Sequence, residues 1–332
     1  MSNAILVPVD GSSFAEHALP YALGIARRTA ATLHVGLVHV RYHLASPSYP
    51  LVAELEAQDA AELERDRVYL DELVERLRPS GVRVRPMLLH GQVVPSLTGF
   101  IEEHGIGLVV MTTHGRGGLQ RAWLGSTADG LLRNVDIPLL LVRPSDGTRE
   151  IGAGSDHVFR HVLAALDGGD TAEAALREAV ELGVVGRAAV TLAHVVQPAL
   201  TAFAPYVEPG AADLEIRDLR LKRRLASLSR EEWLWDRRIE VELELDYFPA
   251  QSLLEMAERR DADLIVLGTH GRGGLSRMIL GSVADKVIRG TSRPVLVYSG
   301  GASRYGLAPV PGETVCSGAS RAAGAVSGSG RP

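Results

Sequence analysis

Residues Thr113–Ser126 read THGRGGLQRAWLGS, and residues Thr269–Ser282 read THGRGGLSRMILGS; 11 of the 14 positions are identical. Each copy follows a short apolar run, GLVVMT at 107–112 and LIVLG at 264–268. So many glycines in so short a stretch suit a loop, and a loop that recurs is a candidate for holding a ligand. Other landmarks repeat in the same order. Gly115 and Gly271 lie 156 residues apart, Asp10 and Asp167 157, His39 and His194 155, and Pro138 and Pro294 156. One near-constant spacing over four landmarks is the mark of a tandem duplication.

The halves occupy 1–145 and 158–299, joined by a Gly-, Ser- and Asp-rich linker at 146–157. Residues 300–332 are small, polar and patternless, and are expected to be disordered. The 332 residues are comfortable for two domains, and the 46% apolar and 23% charged residues suit a globular protein. No run approaches the roughly 18 apolar residues of a membrane span. The N-terminus MSNAILVPVD shows no secretory signal. The single cysteine, Cys316, rules out a disulfide framework within the chain, so a cytoplasmic protein is expected. The net charge of −5 disfavours nucleic acid as the partner. The two lysines, Lys222 and Lys286, stand in no P-loop.

Each half alternates apolar strands with helical stretches. Half one reads as strand AILVPV, a helix from Ser13 to about Ala30, strand TLHVGLVHV and a long amphipathic helix over Leu51–Leu77. Strand VRVRPMLL, a helix over Pro95–Glu103, strand GLVVMT, a helix over Ala128–Asn134 and strand PLLLV complete it. Half two repeats the pattern with HVLAAL, AVTLAHVV, a charged helix near Leu214–Leu228, IEVELEL, a helix over Ala250–Arg259, LIVLG and VLVYS. Strands separated by helices predict an α/β fold with an open, mostly parallel five-stranded sheet in each half and helices on both faces. The terminal strands PLLLV and PVLVY are apolar edges that need partners.

The repeated loop runs from strand to helix, at the carboxyl end of a parallel sheet where such folds take ligands. Gly115, Gly117 and Gly118, like Gly271, Gly273 and Gly274, let main-chain N–H groups approach an anion. Arg116 and Arg272 add charge. Gly125-Ser126 and Gly281-Ser282 open the next helix, whose positive end favours phosphate. The alternatives are structural. As tight turns the loops would need no ligand, and Ser126 with Asp129, like Ser282 with Asp285, fits a capping box that would engage the serine. Asp10 and Asp167 end the first strands, where each is either a ribose acceptor or a helix N-cap. His114 and His270 stand without a nucleophile or acid–base partner and suit loop hydrogen bonding. His39 and His194 read as rim or core histidines, not metal ligands.

On these residues the chain resembles a tandem universal stress protein. Nucleotide-binding members of that family carry G-x-x-G, nine residues, then G-[ST]. Gly268-Thr-His-Gly271, nine residues and Gly281-Ser282 match it in full. Thr112-Thr-His-Gly115, nine residues and Gly125-Ser126 match with threonine for the leading glycine. The resemblance covers about 290 residues. It implies a Rossmann-like, adenine nucleotide alpha hydrolase-like fold and one ATP with Mg2+ per half. Pro8, Val9 and Val40, and Ala165, Leu166 and Val195, would meet the adenine side, and Asp10 and Asp167 the ribose. Met111 and Leu267 would border the nucleotide. Gly115, Arg116, Gly117, Gly125, Ser126 and Thr127 would hold phosphates in half one, as would Gly268, Gly271, Arg272, Gly273, Gly281, Ser282 and Val283 in half two. Thr112 predicts weaker ATP binding in half one. Tyr247 and Phe248 are expected to close the rim or pack on the other half. The family's habit of pairing last strands implies an internal pseudo-dimer, with a homodimer possible. The expected function is ATP-dependent regulation in the stress response; slow ATP hydrolysis and a nucleotide-free scaffold are the alternatives.

Overall fold

The computed structural model describes residues 4–41, 49–113, 124–143, 159–167, 170–197, 223, 226–234, 236–269 and 280–298. The expected linker at 146–157, the tail at 300–332 and most of the charged helix near 214–228 lie outside these residues. Half one runs β1 (Ala4–Val9), α1 (Ser13–Glu16), α2 (Leu19–Thr29), β2 (Thr32–His39), α3 (Tyr49–Leu77), β3 (Val84–His90), α4 (Val93–Glu103), β4 (Leu108–Thr112), α5 (Ser126–Asn134) and β5 (Leu139–Val142). Half two runs β6 (His161–Ala165), α6 (Asp170–Glu181), β7 (Ala189–Val196), β8 (Ile239–Leu245), α7 (Pro249–Arg259), β9 (Leu264–Gly268), α8 (Ser282–Gly290) and β10 (Val295–Tyr298).

The helix expected from Ser13 to Ala30 is in two pieces. Pro20 lies in the first turn of α2, with no N–H to give the carbonyl of Glu16, and its ring would crowd that carbonyl in a continuous helix. The second helix closes on Ala30, in the left-handed region at φ 52°.

The two five-stranded sheets join as one sheet of ten, in the order β3-β2-β1-β4-β5-β10-β9-β6-β7-β8. Every neighbouring pair is parallel except β5 and β10, which run antiparallel with Leu141 opposite Val295, Leu140 opposite Leu296 and Leu139 opposite Val297. Leu140 and Leu296 are themselves 156 residues apart, the repeat spacing, so the pseudo-two-fold axis passes through this pair. The two apolar edges therefore cover each other. Alternation along the strands sorts the core into two layers. Leu140 and Leu296 join the layer under α2 and α6, while Leu139, Leu141, Val295 and Val297 join the layer under α4, α5, α7 and α8. Because the seam is antiparallel, the carboxyl rims of the two halves face opposite edges of the sheet.

Tyr247 and Phe248 follow β8, the far edge strand, and are 52% and 66% exposed. They pack on neither the other half nor a core, because four strands separate β8 from β5. Leu296→Ala and Leu140→Ala, both at fully buried positions, are each expected to destabilise the chain by about 2–5 kcal/mol. Direct neighbours should couple, so the double variant is expected to fall short of the sum when measured by denaturant unfolding.

Candidate functional site

The carboxyl rim of each half is built from the ends of the first, second and fourth strands and the start of the helix after the glycine loop. Thr113 continues β4, its N–H donating to the Val142 carbonyl at 2.9 Å. The carbonyl of Thr113 then accepts from Gly125 N–H at 2.7 Å, pinching the loop shut at its neck. Half two repeats this: Thr269 N–H donates to Tyr298 at 3.0 Å, and Gly281 N–H to Thr269 at 2.9 Å. A Cβ at Gly281 would stand 2.7 Å from the Thr269 carbonyl oxygen, and one at Gly125 3.1 Å from that of Thr113. These glycines are thus explained by the neck. The loop residues Gly115, Arg116, Gly117, Gly271, Arg272 and Gly273, with His114 and His270, lie outside the described residues.

The capping boxes do not form. Gly125 and Gly281 are the N-caps of α5 and α8, and neither helix has a side-chain cap. Ser126 and Ser282 fall one residue inside and are exposed. Asp129 and Asp285 turn along their helices to Arg133 (2.9 and 3.0 Å) and Arg289 (2.8 Å). With the cap N–H spent on the neck, the next three amides lack an intrahelical acceptor. They belong to Ser126, Thr127 and Ala128 in half one, and to Ser282, Val283 and Ala284 in half two. Among the described residues these amides meet no acceptor, so two positive helix ends stand at matched places on the rims.

Asp10 is not an N-cap either. Its Oδ1 accepts from Ser12 N–H at 3.0 Å, and Ser12 Oγ caps α1 by accepting from Ala15 N–H at 3.3 Å. Gly11, at φ 78°, makes the turn between them. Asp10 and Asp167 are both part-buried at the rim. Val9, Met111, Leu166 and Leu267 have side chains packed in the core, and Ala165 borders it. Pro8 and Val195 are part-buried, whereas Val40 is exposed. Val40 lines an open cleft of about 700 Å³ with Arg41, His90, Gly91 and Gln92, at the ends of β2 and β3. Val40 was expected on the adenine side; Arg41, His90, Gly91 and Gln92 were not singled out from sequence.

Gly268 has its own packing reason. A Cβ there would meet the backbone of α6, 2.9 Å from Ala172 N. The matched Thr112 is buried at the end of β4, next to the broken α1. The expected effect of Thr112 on binding rested on a Cβ entering the phosphate surface; the matched Cβ direction leads to helix backbone instead.

His39 was read only as a rim or core histidine. Its Nδ1 donates to Asp66 Oδ2 at 2.9 Å and its Nε2 to Asp59 Oδ1 at 3.1 Å. Asp59 and Asp66 stand two turns apart on α3, a spacing visible in the sequence once the helix is drawn. Arg41 Nε lies 3.4 Å from Asp59. Bonds to two carboxylates need both ring protons, so the imidazolium pins α3 to the rim. Burial alone would lower the His39 pKa, but the bonds to Asp66 and Asp59 outweigh it and raise it. His194, its counterpart, bonds through Nδ1 to the Leu166 carbonyl and ties β7 to the end of β6. Burial, reinforced by Arg85 and His104, lowers the pKa of His34 on the same strand as His39.

With this geometry in place, comparison with known proteins is informative. The sequence matches the universal stress protein family twice, over residues 1–143 and 159–299. The chain belongs to the universal stress protein family. It is 29% identical over 309 residues to a universal stress protein of Mycolicibacterium smegmatis, covering 88% of this chain and 96% of that one. One from Methanocaldococcus jannaschii is 32% identical over 147 residues, 43% of this chain and 83% of that one. The crystal structure of a universal stress protein from Archaeoglobus fulgidus shares the fold, with TM-score 0.62 and 21% identity over 91% of this chain and all of that chain. Family membership supports a role in the stress response. Among the described residues, no helix is long and apolar enough to cross a membrane.

The two β2 histidines set opposite pH limits. The raised His39 contributes stability that is complete below the unfolded value, about 6.5, and is lost as pH climbs through its folded pKa. The lowered His34 does the reverse: the unfolded chain takes up its proton first, so stability falls as pH drops below about 6.5. Thermal midpoints across pH 5 to 9 are expected to flatten on the alkaline side in His39→Gln and on the acid side in His34→Gln.

Proposed function

We propose that each half holds one ATP, with Mg2+ carried on its phosphates, and that the bound nucleotide regulates the chain's contacts in the stress response. The observation that carries this reading is the pair of bare helix N-termini at Gly125 and Gly281, with exposed Ser126 and Ser282 at their first positions. The residues fit the group: three amides without an intrahelical acceptor, a hydroxyl and a helix dipole favour an anion at each rim. Thr127 and Val283 would offer main-chain N–H groups to the phosphates. Asp10 and Asp167 stand where a ribose hydroxyl would need an acceptor. In half one the cleft beside Val40 has the volume typical of a small-molecule site. Its Val40 and His90 would contact the base.

The sharpest test puts a carboxylate where a phosphate would lie. Glutamate at the first position of a helix favours the helix itself, so folding and binding should respond in opposite directions. Calorimetric titration of the full chain with MgATP is expected to give two sites. Ser282→Glu or Ser126→Glu should each remove one site without lowering the thermal midpoint. Two intact sites in the double variant, or none in the wild type, would contradict the proposal.

A further inference from the structure

Two arginines of half one cross the seam, on opposite faces of the sheet, and each ends on the carbonyl end of a half-two helix. Arg28, at the end of α2, donates through Nη2 to the carbonyls of Gly183 at 3.2 Å and Val184 at 3.3 Å, just past α6. Arg143, the residue after β5, donates through Nη1 to the Thr291 carbonyl at 3.1 Å, the C-cap of α8. A cation at a helix C-terminus complements the dipole and satisfies a carbonyl the helix leaves open. These two arginines have no counterpart in the sequence of half two. The positions of half two that match Arg28 are Gly183 and Val184, and the one that matches Arg143 is Ser299, none of them cationic.

These two helices present the half-two site at their other ends. The start of α8 carries Gly281 and Ser282, and the first turn of α6 packs against Gly268 within contact distance of its backbone. Arg143 is also the next residue after Val142, whose carbonyl holds Thr113 at the neck of the half-one loop. A single residue thus stands between the neck of one rim and the back of the helix that forms the other. We propose that Arg143, assisted by Arg28, is a positioning residue for the half-two nucleotide site, making that site dependent on half one. This rests on the ATP reading given above.

Hydrogen–deuterium exchange on the full chain reads both sites in one experiment. Protection of residues 282–290 and 126–134 is followed across a MgATP titration in wild type, Arg143→Ala, Arg143→Lys and Arg28→Ala/Arg143→Ala. Arg78→Ala, which removes only a surface ion pair, serves as control. The double variant is expected to raise the half-maximal MgATP concentration at 282–290 by ~3-fold or more, the scale of a helix-terminus charge. The value at 126–134 should hold, and Arg143→Lys should recover part of the loss. Equal shifts at both segments, or a shift no larger than the control's, would overturn the inference. If MgATP protects neither segment in the wild type, the ATP reading fails, and the support is read without ligand. Exchange of 282–290 should then be ~3-fold faster in the double variant with 126–134 unchanged, and identical rates would overturn it.

Discussion

The antiparallel pairing of β5 with β10 is the constraint on which the rest of the structure depends. Each half ends in a four-residue strand that is buried throughout. Left open, such an edge would recruit another chain. Meeting on the pseudo-two-fold axis, the two edges satisfy one another within one molecule, and Leu140 and Leu296 seal the centre of the seam. Tyr21 stacks on Phe159 at 5.9 Å across the same boundary. The orientation of everything else follows. Two parallel blocks joined antiparallel must send their carboxyl rims to opposite edges, so the two candidate sites are separate and each takes its rim residues from its own half.

Within each half the rim is prepared by backbone more than by side chains. The neck bond between residue 113 or 269 and the N-cap glycine brings the glycine loop back to the helix start, and it uses the one cap donor that would otherwise compete for a ligand. The absence of a side-chain cap leaves the first helical amides of α5 and α8 to other acceptors. The halves diverge around this shared frame. In half two, Gly268 lets an unbroken α6 approach β9 closely. In half one, Thr112 and the Pro20 break accompany a short α1, and Tyr69 and Arg76 of α3 bond to Glu16 of that helix at 3.0 and 2.8 Å. With the His39 clamp, α3 is fastened to the half-one rim at two points.

The succession of strands and helices within each half and the location of the rims were legible because they rest on local patterns. Apolar runs, a repeated glycine loop and matched landmarks survive in one dimension. Contacts that depend on which of two neighbouring residues a helix begins on did not survive. Ser126 and Ser282 fit the capping pattern, yet the cap falls one residue earlier, on glycine, because the neck fixes it there. Asp10 fits either a ribose acceptor or a cap by sequence; Gly11 turns the chain so that Ser12 takes the cap role. The spacing of Asp59 and Asp66 on α3 is visible in sequence, but their pairing with His39 and the two cross-seam arginine contacts are not, because each joins elements far apart in the chain. Arg143 reaches a carbonyl 148 residues away.

The central claim is that bare helix amides at the two rims receive phosphate. Amide chemical shifts measured by NMR while MgATP is added to the full chain test it most directly. The account predicts that the largest changes fall on residues 126–128 and 282–284, with smaller ones at Asp10, Val40, Asp167 and Val195. Changes confined to other surfaces, or none at saturating nucleotide, would contradict it.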